Sequence, residues 1–348
     1  MIKKVENSII HIETKEDINE RQKYLRSRVT MHYLLQLVIT FLIVYFIMPL
    51  LMKIAKKLGF TDKPTKRKKH KEPIPLCGGV GIYIGFFVVY FISMRNSLDK
   101  TENMWIFVSA TLILLIGLVD DYYKTIGKEF PIYPRLIVQL LAAALVFKAG
   151  IAFEGFTNPF TGIYVELSYT VQFILTVTWI FGVTTVINWS DGMDGLAGGI
   201  SLISAMTFFF AAIILGQGES ATISIILAGS LIGFLVYNVH PARVFMGDSG
   251  ANLVGFLLSV IAIDGAFKQA TVLSIFIPIL ALAVPIFDNI FVIYKRFKEG
   301  KPVYQADRSQ MHFRLAEKGL TINQTVSLIL TISFICSAIS IFLLLLKN

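Results

Sequence analysis

Long apolar runs alternate with short polar segments along nearly the whole chain after residue 30. Ten runs can be distinguished, at about residues 31–52, 78–94, 104–119, 136–153, 167–187, 196–215, 221–237, 251–263, 271–294 and 325–346. Many of them reach the roughly 20 residues that a helix needs to cross a bilayer. Because hydrocarbon offers no water to backbone polar groups, such runs must be helical. The pattern predicts an all-α polytopic membrane protein with about ten transmembrane helices.

The composition agrees with this fold class. Of the 348 residues, 55% are hydrophobic and 16% are charged, whereas a soluble domain of this length carries more polar residues. Residues 1–30 form a polar arm without the pattern of a signal peptide. We therefore expect this arm and one transmembrane domain, residues 31–348, with membrane lipid and no nucleic acid as partners. Neither Cys77 nor Cys336 suggests a disulfide or a metal site.

Basic residues are distributed unevenly among the nine connections. The five odd-numbered connections hold 20 Lys and Arg, whereas the four even-numbered ones hold only Arg95, Lys100 and Lys268. The positive-inside rule therefore places the odd-numbered connections in the cytoplasm. Ten spans would put the arm outside, although four basic residues (21, 23, 26 and 28) precede the first span. An eleventh span would remove this conflict.

The unusual polar clusters all fall in the odd-numbered connections. They read DKPTKRKKHKEPIPLCGG (62–79), DDYYKTIGK (120–128), NWSDGMDG (188–195), NVHPARVFMGDSG (238–250) and DRSQMHFRL (307–315). Loops on the same side of a membrane protein can meet. The arrangement predicts one active site on the cytoplasmic face, built from five loops.

The third, fifth and seventh connections carry five aspartates, namely Asp120, Asp121, Asp191, Asp194 and Asp248. The spacing of Asp191 and Asp194, i and i+3, would place both on one side of a helical turn. Five carboxylates brought together would repel one another, and a hard cation resolves that conflict. Oxygen ligands without thiols favour Mg²⁺, with Mn²⁺ as a substitute.

Other interpretations remain open for each cluster. Any single aspartate can be interpreted as a helix cap, and for Asp248 or Asp121 alone this explanation is as good as a site role. The basic run 66–71 is of a kind that most often serves as a topology signal or an anionic-lipid contact. Asp288, inside the ninth run, is expected to face a cavity because intramembrane acids are costly. A cation transporter is the alternative from another class, but transporter sites usually lie near the bilayer midplane.

At these five segments, from about residue 60 to 320, the chain resembles the polyprenyl-phosphate N-acetylhexosamine-1-phosphate transferase family. The basic first loop looks closest to the N-acetylglucosamine branch. The resemblance implies transfer of N-acetylglucosamine 1-phosphate, or a related sugar phosphate, from a UDP-sugar to undecaprenyl phosphate, with release of UMP. It also implies a bacterial inner-membrane location, a role in starting cell-envelope glycan synthesis, and a homodimer as one assembly.

The resemblance further implies roles for individual residues. Catalytic roles fall on Asp120, Asp121, Asp191, Asp194 and His312. Substrate binding falls on Asn188, Asn238, Phe245, Lys68, His70, Arg243 and Arg308. Metal binding falls on Asp248, Asp120 and Asp191, with Mg²⁺ as the cofactor.

One motif departs from the family pattern. The ninth loop of the family commonly carries a histidine, an apolar residue and two more histidines, whereas this chain has Gln310, Met311, His312 and Phe313. If the missing histidines select the sugar, the donor carries an unusual N-acetylhexosamine. If they are essential, the chain is a non-catalytic member that acts as a scaffold for glycan assembly.

Overall fold

The structure is a computed structural model that describes residues 15–63, 72–96, 100–158, 160–265, 272–302 and 308–347. Twelve α-helices occur in these ranges. They are α1 Lys15–Lys57, α2 Gly78–Ser93, α3 Lys100–Thr125, α4 Ile132–Lys148, α5 Tyr169–Ser190, α6 Leu196–Ile214, α7 Gly218–Asn238, α8 Gly247–Asp264, α9 Val272–Ala281, α10 Ala283–Lys298, α11 Met311–Glu317 and α12 Ile322–Lys347. A 3₁₀ turn, Met94–Asn96, follows α2.

Each of the ten predicted apolar runs overlaps a helix, and the chain is a multi-pass membrane protein. Seven of the described helices are long and apolar enough to cross a membrane, or eight if the bent pair α9 and α10 forms one span. Helices α2 and α4 have only 16 and 17 residues. The count of ten or eleven spans therefore stays a prediction.

Two short antiparallel strand pairs accompany the mostly helical fold, which the all-α prediction did not include. Strand β1 (Thr61–Asp62) pairs with β2 (Ile74–Pro75), and β3 (Gly155–Thr157) pairs with β4 (Tyr164–Glu166). Both pairs lie in connections between the apolar helices, where the ladders give loop backbone groups hydrogen-bond partners. The fourth apolar run accordingly ends as a helix at residue 148 rather than 153.

The centre of the bundle is formed by α8, α7 and α6. In the most apolar stretch of these helices, 94%, 83% and 61% of the residues are buried, against 22% in α1 and 28% in α5 and α12. Close approach at the centre depends on small residues, as expected for helices that pack within a membrane. A β-carbon on Gly79 of α2 would collide with the backbone of Gly250 in α8, and one on Gly117 of α3 would collide with Ser249. The first turn of α8 therefore touches two helices at backbone distance.

The ninth apolar run is broken, which corrects the prediction of one uninterrupted helix over residues 271–294. The axes of its two helical parts differ by 75° across Leu282. Pro285 has no N–H to donate to the carbonyl of Ala281 four residues earlier. The Ser204 hydroxyl of α6 donates to that carbonyl instead, at 2.8 Å. The break therefore leaves this carbonyl with a partner from another helix.

Candidate active site

The loops of the odd-numbered connections meet at one end of the bundle. The N–H groups of Gly78 and Gly79 donate to the carbonyls of Phe245 and Met246, joining the first connection to the seventh. The contacts given below join the third, fifth and ninth connections to the same end. The prediction that these loops meet is confirmed for the described residues.

Asp121 lies fully buried in the last turn of α3 and contacts the start of α8. Its carboxylate accepts the N–H groups of Asp248 (2.8 Å) and Ser249 (3.0 Å) and the hydroxyl of Ser249 (2.7 Å). These backbone donors have no partner within their own helix, and the helix dipole favours a negative charge at this position. The carboxylate of Asp121 thus caps α8 from a neighbouring helix and orients Asp248.

Two cations lie among the carboxylates. The Lys124 ammonium is 2.6 Å from Asp248 Oδ2, and the Arg135 guanidinium is 2.6 Å from Asp120 Oδ2 and 3.7 Å from Asp248 Oδ2. Asp120 and Asp248 are also within hydrogen-bond reach of each other. The predicted convergence of acids is therefore accompanied by positive charge that offsets part of their repulsion.

Asp191 follows the last residue of α5 and faces the same cluster. Burial raises the pKa of Asp191 to about 7, and the negative charge of Asp248 contributes, whereas the ammonium of Lys124 acts in the opposite direction. Asn188, one turn earlier in α5, donates its amide N–H to Asp248 Oδ1 at 3.1 Å. Carboxyl groups from α3, α5 and α8 thus meet, and that of Asp191 can hold or release a proton near neutral pH.

Asp194 lies in a different environment from Asp191. Its carboxylate Oδ2 accepts the N–H of Ala242 at 3.1 Å and is 2.7 Å from His240 Nδ1. The segment between α5 and α6 is a series of turns, so the prediction that both aspartates lie on one side of a helical turn is wrong. The glycines at 192 and 195 allow these turns, the second with φ of 77°. Through these two contacts, Asp194 attaches the turn after α5 to the seventh connection.

Asn238 and Phe245 were predicted to bind substrate. The buried amide of Asn238 accepts the N–H of Gly195 at 3.0 Å and donates to the Val244 carbonyl at 2.8 Å. The backbone N–H of Phe245 donates to the Pro75 carbonyl at 2.9 Å. Asn238 therefore ties two connections together, while the partly exposed Phe245 ring lies where they meet.

Arg243 and Arg308 both lie at the surface. Arg243 donates to the Val236 carbonyl at 3.1 Å, and its guanidinium lies 4.9 Å from the ring centre of Tyr237. The guanidinium of Arg308 lies 5.8 Å from the ring centre of Phe313. Their predicted roles in substrate binding stay predictions, and Lys68 and His70 lie outside the described residues.

His312 lies in α11 and is 98% buried. Its Nε2 has no hydrogen-bond partner. A β-carbon on Gly192 would collide with this nitrogen, so the ring packs directly against the turn that follows Asp191. Burial lowers the pKa of His312 to about 4, which keeps the ring neutral at physiological pH.

The donor chemistry of the cluster suits a hard divalent cation, since carboxylate oxygens are the ligands that Mg²⁺ prefers. However, within the described ranges no group of three or more His, Cys, Asp or Glu side chains has its atoms arranged to hold an ion. The ammonium of Lys124 contacts the candidate ligand Asp248 instead. The predicted metal roles of Asp248, Asp120 and Asp191 stay predictions.

The sequence interpretation overlooked four site residues. Lys124 lies three residues after Asp121, a spacing that signals proximity on a helix. Arg135, in the next helix, and Ser249, in the GDSG motif, carry no such local signal. His240, directly before Pro241 in the seventh connection, gains its importance only through contact with Asp194.

Comparisons with known proteins agree with the motifs. The family model described as glycosyl transferase family 4 matches residues 103–266. A probable undecaprenyl-phosphate N-acetylglucosaminyl 1-phosphate transferase of Bacillus subtilis (strain 168) is 36% identical over 306 residues, covering 88% of this chain and 83% of that protein. A decaprenyl-phosphate N-acetylglucosaminephosphotransferase of Mycobacterium leprae is 29% identical, covering 83% and 78%.

A relative with a different name is more distant. The phospho-N-acetylmuramoyl-pentapeptide-transferase of Staphylococcus carnosus is 28% identical over 294 residues, covering 80% of this chain and 89% of that protein. The higher identity to the B. subtilis protein agrees with the resemblance to the N-acetylglucosamine branch.

Proposed function

The chain belongs to glycosyl transferase family 4, and from that premise we propose that it transfers N-acetylglucosamine 1-phosphate from a UDP-sugar to a polyprenyl phosphate, releasing UMP. One observation carries the proposal. Carboxyl groups from three helices and the cations of Lys124 and Arg135 meet at one end of the membrane bundle. A site at that position suits one soluble and one membrane-bound substrate.

The reaction balances without a covalent role for the protein. A lipid phosphate oxygen forms a bond to the phosphorus that carries the sugar, while the bond from that phosphorus to the oxygen of UMP breaks. Positioning and charge neutralisation carry most of phosphoryl transfer. Lys124 and Arg135 would neutralise phosphate oxygens. Of the Asp120/Asp121 pair, the carboxylate that does not hold the metal ion would accept a proton from the lipid phosphate.

Mg²⁺ belongs to the same proposal. Asp248, Asp120 and Asp191 would hold the ion, which would neutralise diphosphate charge. Because the Lys124 ammonium contacts Asp248, metal binding would require that ammonium to move toward the substrate phosphates.

Three finer points belong to the proposal as well. Undecaprenyl phosphate is the expected acceptor, since the B. subtilis relative is named for it. The excess of Lys and Arg in the odd-numbered connections supports a site on the cytoplasmic face. The bacterial origin of the relatives supports the inner membrane as its location. Assembly as a homodimer belongs to the proposal as well.

The experiment is a UMP-release assay with the purified protein in detergent. We expect release from UDP-N-acetylglucosamine only when undecaprenyl phosphate and Mg²⁺ are both present. Loss of activity with EDTA, and its return with Mg²⁺ or Mn²⁺, would support the metal role. Release that needs neither the lipid nor the metal would contradict the proposal.

A second candidate is a non-catalytic scaffold, which the replacement of two family histidines by Gln310 and Phe313 favours. This candidate would be selected if the protein is folded, as shown by cooperative unfolding, but releases no UMP with any UDP-N-acetylhexosamine. Cation uptake into vesicles that contain the protein but no polyprenyl phosphate would instead indicate the transporter.

A further inference from the structure

Asp288 extends from the second turn of α10 toward the ninth connection. Both oxygens of its carboxylate accept the N–H of Met311, at 2.9 and 2.8 Å, and Oδ1 also accepts the Arg314 guanidinium at 2.7 Å. The side chain is 12% exposed. The expectation that this acid faces a cavity is confirmed, since Asp288 lines a small cavity together with Met311 and His312. Its hydrogen-bond partners belong to α11.

Helix α11 depends on this contact more than a longer helix would. It has seven residues, too few for a stable isolated helix. Met311 is its first residue, and the side chain of Gln310 just before it makes no capping hydrogen bond. The Asp288 carboxylate therefore provides the missing cap, at the end of the helix where a negative charge is favoured.

Arg314 adds a second attachment between the two helices. Besides its ion pair with Asp288, its guanidinium lies 4.2 Å from the ring centre of Phe291, one turn further along α10. A cation over an aromatic face is attracted to it. The start and the middle of α11 are thus both held on α10.

The next residue after Met311 is His312, whose ring packs against Gly192. Its buried Nε2 has no protein partner, so no hydrogen bond of that nitrogen fixes the ring. The position of the ring then depends on the position of α11. Gly192 directly follows Asp191, which faces the carboxyl cluster.

We propose that Asp288, together with Arg314, is a positioning residue for the active site. It fixes α11 on α10, so that His312 presses on Gly192 and keeps the turn carrying Asp191 in place. Only the effect on turnover rests on the proposed function. The effect on the position of His312 does not.

The first test measures the position of His312 without reference to activity. Diethyl pyrocarbonate modifies accessible histidines, and mass spectrometry locates the label. In the wild-type protein we expect His312 to be protected and His240, whose side chain is 36% exposed, to be labelled. In Asp288→Ala, His312 should become labelled at a rate at least several-fold higher, with His240 unchanged.

Two further variants keep this test decisive. Asp288→Asn keeps an oxygen for the Met311 N–H but loses the charge facing Arg314, so intermediate labelling is expected even if Asp288→Ala does not fold. Asp264→Asn, at the opposite end of the bundle, should leave His312 protected. Equal protection of His312 in the wild-type protein and in folded Asp288 variants would overturn the proposal.

The second test is a double-mutant cycle on UMP release. If Asp288 acts through His312, Asp288→Ala should lower kcat about tenfold in the wild-type background, which is within the coupling range for residues of one network. In a His312→Ala background the same change should cost less than twofold. A full tenfold loss in both backgrounds would overturn the proposal. An inactive wild-type protein would instead refute the proposed function, and the labelling result would still decide the role of Asp288.

Discussion

Helix α8 carries an aspartate at each end, and the two ends differ in their surroundings. Asp248, in the first turn, lies within reach of Asp120, of the Lys124 ammonium and of the Asn188 amide. Asp264, the last residue, accepts the Ser220 hydroxyl at 2.7 Å. Both are acids within an apolar helix, but their surroundings differ in kind. The cations of Lys124 and Arg135 lie among the carboxyl groups around the first, whereas Asp264 acts electrostatically on Tyr90 together with two other acids, Glu102 and Glu219.

The helix dipole increases this difference. Its positive end favours a carboxylate at Asp248, whereas its negative end disfavours one at Asp264. The first end nevertheless carries several carboxyl groups, more charge than the dipole alone would stabilise. An intramembrane aspartate is therefore weak evidence for a site by itself, and the cations of Lys124 and Arg135 among the carboxyl groups are the stronger evidence. Four expected outcomes test this contrast between the two ends.

The largest effect is expected for Asp248→Asn. The change removes the charge that faces Lys124 and the candidate metal ligand, so UMP release should fall by about 10²–10³, which corresponds to roughly 3–4 kcal/mol of lost transition-state stabilisation. Because Asn has nearly the same shape, thermal unfolding should change little. Near-normal turnover in the folded variant would refute the ligand role.

A loss of stability is expected for Asp121→Ala. The change leaves the N–H groups of Asp248 and Ser249 without their cap, which should cost about 1–3 kcal/mol. Thermal unfolding in detergent measures the effect, and Asp121→Asn, which keeps an acceptor oxygen, is the matched control. If alanine and asparagine unfold at the same temperature as the wild-type protein, the capping role is wrong.

The next effect concerns pH and divalent cations. The pKa of Asp191 is about 7 in the folded protein but roughly 3.9 in an unfolded chain, so the folded state holds more protons between these values. Stability without metal should therefore decrease as the pH rises from about 4 to 7, and then level off. Mg²⁺ binds the ionised carboxylates and should raise the unfolding temperature more at pH 8 than at pH 6.

Asp191→Asn provides the control for this prediction. The variant should lose the part of the pH dependence that Asp191 contributes, and its stability should fall less between about pH 4 and pH 7 in the absence of metal. An equal Mg²⁺ effect at pH 6 and pH 8 in the wild-type protein would show that metal binding does not depend on the ionisation of Asp191, and the prediction would be wrong.

The smallest effect is expected for Asp264→Asn. The amide oxygen can still accept the Ser220 hydroxyl, and the residue lies at the end of α8 away from the cluster. Turnover should stay within about twofold of the wild-type value, as for most substitutions outside a site. A large loss would show that the two ends of α8 are coupled and would remove the contrast between them.

The sequence allowed the grouping of loops to be predicted, because polar clusters in alternate connections must share one side of a membrane. The counter-ions were harder to predict. Arg135 meets Asp120 only because α3 and α4 pack side by side, which no local spacing indicates. Asp194 turned toward His240 because glycine-rich turns replaced the helical geometry assumed for it. By contrast, the break in the ninth run could have been predicted, because Pro278 and Pro285 lie inside it and proline interrupts helical hydrogen bonding. The prediction of one helix overlooked this signal.

The hydrogen bond from Ser204 to the Ala281 carbonyl has a consequence far from where it forms. An orphaned carbonyl in hydrocarbon is costly, so the bent pair is most stable when docked on α6 at this one point. Moving the end of α9 away from α6 would remove this donor from the carbonyl. The point from which α10 starts, and with it the position of Asp288 and of α11, therefore depends on one hydroxyl at the centre of the bundle.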